Sequence, residues 1–210
     1  MTQRAGSLIP APKACAMTRP QSLFETSDHP CEDITLKSSG ACFNTSRTCR
    51  YMLWRIWDQT LPVVTFAMLN PSRADESTLD NTLRRTHTFA RMNGYGGMIV
   101  VNLIPFVSPS PRDAVNAECE AFGEDNGERN VQHIQNALKR SKTVVVGFGT
   151  WVSKSPFKEA YQQLGKILSE QSPVCLGHNA DGSPKHPLYV AADTPLQQFR
   201  IATREATKSS

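Results

Sequence analysis

Two periods of apolar and polar positions run along this chain, and the changes between them mark out its elements. Pro62 to Leu69 is a short, β-branched apolar run that stops at the turn signature Asn70-Pro71-Ser72, which predicts a buried strand. Ahead of it, Arg50 to Trp57 alternates and is aromatic. With Asp58-Gln59 as a turn, it predicts the first of two antiparallel strands, a hairpin leading into the core. Strict alternation puts Trp54 and Trp57 on opposite faces. From Thr78 to Asn93 the period lengthens. Leu79, Leu83, Thr86 and Ala90 share one stripe while Arg84, Arg85 and Arg91 punctuate the polar side, the pattern of an amphipathic helix. Gly94, Gly96 and Gly97 end it, and Met98 to Pro105 is a second apolar run, interrupted at Asn102. Strand, helix, strand in this order describes a βαβ unit with a parallel pair, so Asn70 and Asn102 are expected at the carboxyl ends of neighbouring strands.

Further on, Glu118 to Arg140 reads as a longer helix, Lys142 to Trp151 as a third strand, Phe157 to Ser169 as a helix and Pro173 to His178 as a short fourth strand. Gly147-Phe148-Gly149 lacks the third glycine of a dinucleotide fingerprint and reads as a tight turn or a place of close approach. The pattern predicts an α/β fold. It is a three-layer α/β/α sandwich with a mainly parallel central sheet of about four core strands, plus the N-terminal antiparallel hairpin. Residues 1–48 are rich in Ser, Thr, Pro, Lys and Arg and offer little apolar surface, so they are expected to be disordered or loosely packed. Residues 49–194 form the single α/β domain, and 195–210 a polar tail.

Composition changes this picture little. The formal charge of +4 permits an acidic partner without demanding one. Six cysteines without regular spacing or a Cys-x-x-Cys pair, and no secretory signal, point to reduced thiols in a cytoplasmic protein. No run of about 18 apolar residues is present to span a membrane. Neither a P-loop, a His-Glu-x-x-His motif nor a Gly-x-Ser-x-Gly elbow occurs.

Chemistry concentrates at the strand ends, where an open α/β sheet binds its ligands. Asn70, Ser72, Asp75, Asn102 and His186 would bring amide, hydroxyl, carboxylate and imidazole groups to one edge. An asparagine offers both a donor and an acceptor to a nucleobase edge, or else satisfies its own turn. Arg84 and Arg85 could meet phosphate. Asp80 suits the first turn of its helix as a cap. His186 lies between Pro184 and Pro187, which restrain it as a general acid or hydrogen-bond donor, and Lys185 beside it could depress its pKa or meet a phosphate.

Arg50-Tyr51-x-Leu53-x-Arg55, Leu69-Asn70-Pro71-Ser72-x-Ala74-Asp75, Asp80-x-Thr82-x-Arg84-Arg85, Gly94-Tyr95, Val101-Asn102-Leu103 and Gly182-x-Pro184-x-His186-Pro187-Leu188-Tyr189 together resemble the bacterial and phage family catalogued as domain of unknown function 1643. Asn81 stands where that pattern expects proline. The order of an Asn-Pro turn, an apolar strand ending in Asn, a Val-rich strand ending in a Gly turn and a late His-Pro loop is also similar to the uracil-DNA glycosylase superfamily. That resemblance implies a glycosylase-like fold in which Asn70 positions an attacking water, Asn102 reads the base edge and His186 stabilises the leaving base. The late loop lacks the superfamily's serine, and Phe106 is the candidate for its stacking aromatic.

The expected function is a nucleobase- or nucleotide-binding protein with a glycosylase-like pocket, hydrolysing an N-glycosidic bond in nucleic acid. Asn70, Asp75 and His186 are its catalytic candidates, and Ser72, Asp80, Arg84, Arg85, Asn102, Phe106 and Lys185 its binding candidates. No cofactor is called for. Two other readings stand beside it: a non-catalytic nucleic-acid or protein interaction module that retains the fold, and a metal-assisted hydrolase using Asp75, Asp80 and His186.

Overall fold

The computed structural model describes residues 39–73, 80–117, 122, 123, 125 and 127–202. These residues form a mixed α/β fold with seven strands and four α-helices. The strands are β1 (Ser39–Phe43), β2 (Arg50–Ile56), β3 (Val63–Met68), β4 (Gly97–Asn102), β5 (Thr143–Gly147), β6 (Val174–Cys175) and β7 (Gln197–Gln198). The helices are α1 (Asn81–Met92), α2 (Pro111–Ala117), α3 (Glu128–Lys139) and α4 (Phe157–Ser169). Apolar runs and turn residues place β2 to β6, α1 and α4 close to where the sequence puts them. The stretch expected as one helix from Glu118 contributes α3 from Glu128 onward, and residues 118–121 lie outside the described part.

All seven strands belong to one sheet in the order β1-β2-β4-β3-β5-β6-β7. Its centre is parallel, β4 and β5 flanking β3 and β6 following β5. The β1–β2, β2–β4 and β6–β7 pairs are antiparallel. The expectation of a mainly parallel sheet is therefore corrected: half the pairings run the other way. The proposed hairpin between β2 and β3 is corrected too, because β2 lies against β4 and makes its hairpin with β1. The reason lies at Gly96. Its carbonyl accepts the N–H groups of Trp57 and Asp58 at 2.9 and 2.8 Å, and its own N–H reaches the carbonyl of Pro62 at 2.9 Å. The end of β2 is thus clamped to the start of β4 instead of folding back on β3. A β-carbon on Gly96 would sit 2.0 Å from the Asp58 carbonyl oxygen, so only glycine fits.

Alternation along the central strands divides the core. Val64, Phe66 and Met68 of β3 join Met98, Val100, Val145 and, from α1, Leu83, Phe89 and Ala90. Their neighbours Ala67, Ile99, Val101, Val144 and Val146 join Ile134 and Leu138 of α3 and Leu164 and Leu168 of α4. β4 is buried along its whole length, as a strand covered on both faces must be. Trp54 belongs to the second group and Trp57 packs against the first, as their alternation predicted.

The sheet begins at Ser39 and ends at Gln198, so both terminal segments contribute edge strands. Phe199 and Ile201 beyond β7 are buried. Cys42 is disulfide-bonded, which corrects the expectation of reduced thiols throughout; Cys175 is a free thiol. Among the described residues no helix is long and apolar enough to cross a membrane.

Candidate functional site

β3 is the pivot of the topology. The chain leaves its carboxyl end through α1 towards β4 on one side, and leaves β5 through α4 towards β6 on the other. The two helices contribute to different core groups, so the loops after β3 and β5 part from each other. Such a divergence leaves a crevice at the carboxyl ends of the two strands, the general place for a ligand in an open α/β sheet. A cleft of about 430 Å³ lies there, a volume suited to a small organic ligand.

The loop after β3 supplies Asn70 and Ser72. Asn70 directs its Nδ2 to the carbonyls of Ser108 (3.0 Å) and Pro71 (3.3 Å), fixing the plane of the amide. Ser108 is itself buried; its N–H donates to the Pro71 carbonyl at 2.9 Å, and its hydroxyl to Asp113 at 2.7 Å. The loops after β3 and β4 therefore brace each other. Asp80 caps α1: one carboxylate oxygen accepts the Leu83 N–H at 2.8 Å, and the other accepts the hydroxyl of Ser72. One carboxylate thus joins the β3 loop to the helix start.

From the other side, Phe148, Gly149, Thr150 and Trp151 follow β5 into the cleft, and His186 enters on the loop after β6. The Gly-Phe-Gly turn serves this approach. A β-carbon on Gly147 would meet Pro187 Cδ at 2.7 Å, and Gly149, at φ +69°, donates its N–H to the Pro184 carbonyl at 2.9 Å. His186 opens a 3-10 turn at Pro187–Tyr189, and its Nδ1 accepts the Leu188 N–H at 3.3 Å. A neutral imidazole with an acceptor at Nδ1 carries its proton on Nε2, which makes that atom a donor. Burial pushes the imidazole below the usual histidine range, and the Asp80 carboxylate opposes that pull. Neutral His186 is the form this environment favours near neutral pH.

Of the candidates named from sequence, Asn70, Ser72, Asp80 and His186 line this one cleft. Asn102 does not; it ends β4 beside Met68, is 2 % exposed, and its Nδ2 has no hydrogen-bond partner. Arg84 and Arg85 line a neighbouring cleft. Phe106 pairs with Cys49 and packs on the core, and Lys185 is exposed. Neither lines the first cleft. Asp75 lies outside the described residues. Among the described residues no group of three or more His, Cys, Asp or Glu side chains could hold a metal ion.

Among the lining residues that sequence reasoning did not name as candidates, Arg50, Phe148, Trp151 and Tyr189 stand out. Arg50, 2 % exposed, presents a buried cation to the cleft from the start of β2; Trp151 and Tyr189 supply aromatic surface, and Phe148 lines the cleft from within the core. Trp151 is covered by the Lys154 ammonium 4.4 Å from its ring centroid, while Tyr189 is 81 % exposed. The signal for Phe148 and Trp151 was their place just after a strand end. For Arg50 it was a cation opening a largely apolar, aromatic strand.

A family model described as "Protein of unknown function (DUF1643)" matches residues 50–188. No curated protein and no solved structure matches the chain.

Proposed function

For a chain that belongs to the DUF1643 family, we propose that the cleft at the ends of β3 and β5 binds a nucleobase-bearing ligand and hydrolyses its N-glycosidic bond. The observation that carries this reading is the meeting of Asn70 and Asp80, from the two ends of the β3–α1 connection, with His186, from the loop after β6, in one cleft also lined by Phe148 and Trp151. Flat aromatic surface with a few converging polar groups suits a planar heterocycle. The helices contributing to the two core groups support a three-layer α/β/α arrangement, whose sheet carries antiparallel strands at both sides.

In this reading the base lies against Trp151, with Phe148 buried at the cleft lining. Asn70, its Nδ2 committed to backbone carbonyls, offers Oδ1 as an acceptor that orients a water towards the anomeric carbon. The bond from that carbon to the base nitrogen breaks as the carbon–oxygen bond to water forms. The electron pair stays with the base, and a proton from the water ends on it. His186 donates a hydrogen bond from Nε2 to the base as negative charge builds, with no need to transfer its proton. Asp80 keeps the Ser72 loop and α1 in register with both groups. Asn102, enclosed beside Met68 and outside the cleft lining, takes no part in this reading.

The test is release of free base from a panel of nucleosides and base-modified single-stranded DNA. We expect turnover on one of them, and a fall of about 100-fold or more for Asn70→Ala and for His186→Ala. No turnover together with ligand-induced thermal stabilisation of the wild type would leave a binding module instead. Neither turnover nor binding would remove the proposal.

A further inference from the structure

Beside the first cleft, and sharing Leu188 with it, lies a second of about 320 Å³ lined by Asn81, Arg84, Arg85 and Thr88. These four residues stand at i, i+3, i+4 and i+7 of α1, one continuous stripe along its first two turns. The opposite side of the helix, with Leu83, Thr86, Phe89 and Ala90, is buried. Helix α1 contains three arginines and no Asp or Glu, although the chain as a whole is nearly balanced at 23 basic to 19 acidic residues. Cations near the start of a helix gain nothing from its dipole. The stripe ends against the 3-10 turn that carries His186 into the first cleft.

We infer that this stripe is a phosphodiester track: Arg84 and Arg85 hold the backbone of a nucleic-acid strand whose base enters the neighbouring cleft. The inference rests on the nucleobase reading of that cleft and extends it from a free nucleotide to a polymer. A guanidinium binds phosphate oxygens through paired N–H donors, and Asn81 adds an exposed amide one turn earlier. The two clefts share a wall, so a strand can be held on α1 while one of its bases leaves the stack.

The experiment measures binding of a fluorescently labelled single-stranded DNA oligonucleotide to the full chain by anisotropy across a salt series, alongside binding of a nucleoside monophosphate. Arg84→Gln/Arg85→Gln should weaken oligonucleotide binding about tenfold or more and reduce the salt slope by about 1.4, two contacts at roughly 0.7 each. Monophosphate binding should stay within twofold. Arg85→Gln alone, which leaves Arg84 in place, should give about half the change in slope and serves if the double variant does not fold. Unchanged oligonucleotide affinity and slope would overturn the track. So would an equal loss of monophosphate binding, since the arginines would then hold the ligand's own phosphate. Failure of the nucleobase reading itself would show differently, as wild-type protein that binds neither probe.

Discussion

At the scale of single residues, His186 concentrates the chemistry. Its imidazole sits below the ordinary histidine value of 6.5 because it is buried, with Asp80 opposing, and burial also lowers His133 and His87. Catalysis that needs neutral His186 should therefore be flat above about pH 6.5 and decline only in more acidic buffer; a pH–rate profile that rises on acidification would contradict the assigned role. Stability follows the same groups. The unfolded chain takes up protons near 6.5 while the folded histidines resist until lower pH, so their contribution is complete above 6.5 and is lost as pH falls towards the folded values. Urea midpoints should drop between about pH 7 and 5, and the drop should be smaller in His133→Gln/His186→Gln. An identical slope in that variant would place the acid sensitivity elsewhere.

Among elements, the turn after β5 and the start of α1 decide whether the cleft exists. Gly147→Ala puts a β-carbon 2.7 Å from Pro187 Cδ, and because both atoms belong to stiff parts of the chain the His186 loop must move outward. We expect a stability loss of about 1–3 kcal/mol with ligand affinity falling further than stability does, read by calorimetric titration. Asp80→Ala removes a helix cap and the acceptor of the Ser72 hydroxyl. It should cost about 1 kcal/mol in chemical denaturation and detach the β3 loop from α1, whereas Ser72→Ala breaks the second contact alone. Equal stability of wild type and Asp80→Ala would mean that the cap contributes nothing. The capping position was legible in advance, since an Asp three residues before a leucine stripe is a local signal. The reach of the same carboxylate to Ser72 was not, because the two stand eight positions apart in the sequence.

The whole molecule is held by β3, hydrogen-bonded to β4 and β5 on its two sides with apolar groups above and below. Phe66, fully buried and edge-on to Phe89 at 6.0 Å, lies at that centre. Phe66→Ala should cost about 3–5 kcal/mol, measurable as a shifted denaturation midpoint, whereas truncating the exposed Leu61 should change little. The divergence of the chain at β3 and β5 then sets the cleft between two rigid strand ends. Four candidate residues share that cleft because the parallel centre of the sheet brings the chain after β3 and after β6 to one edge.

Short-range signals alone determined that β3, β4, β5, α1 and α4 exist, and that Asn70 just follows β3 while Asn102 ends the adjacent parallel β4. Period, turn residues and the length of a crossover are properties of neighbouring positions, readable without the fold. Only the tertiary structure decided that β2 lies against β4, that β1 and β7 extend the sheet, and that Arg50 and Trp151 face the cleft while Asn102 is enclosed. A strand with period two can pair in either direction and on either edge. The choice is made by which edges stay open and by local close approaches such as that at Gly96, where the Asp58 carbonyl leaves no room for a side chain.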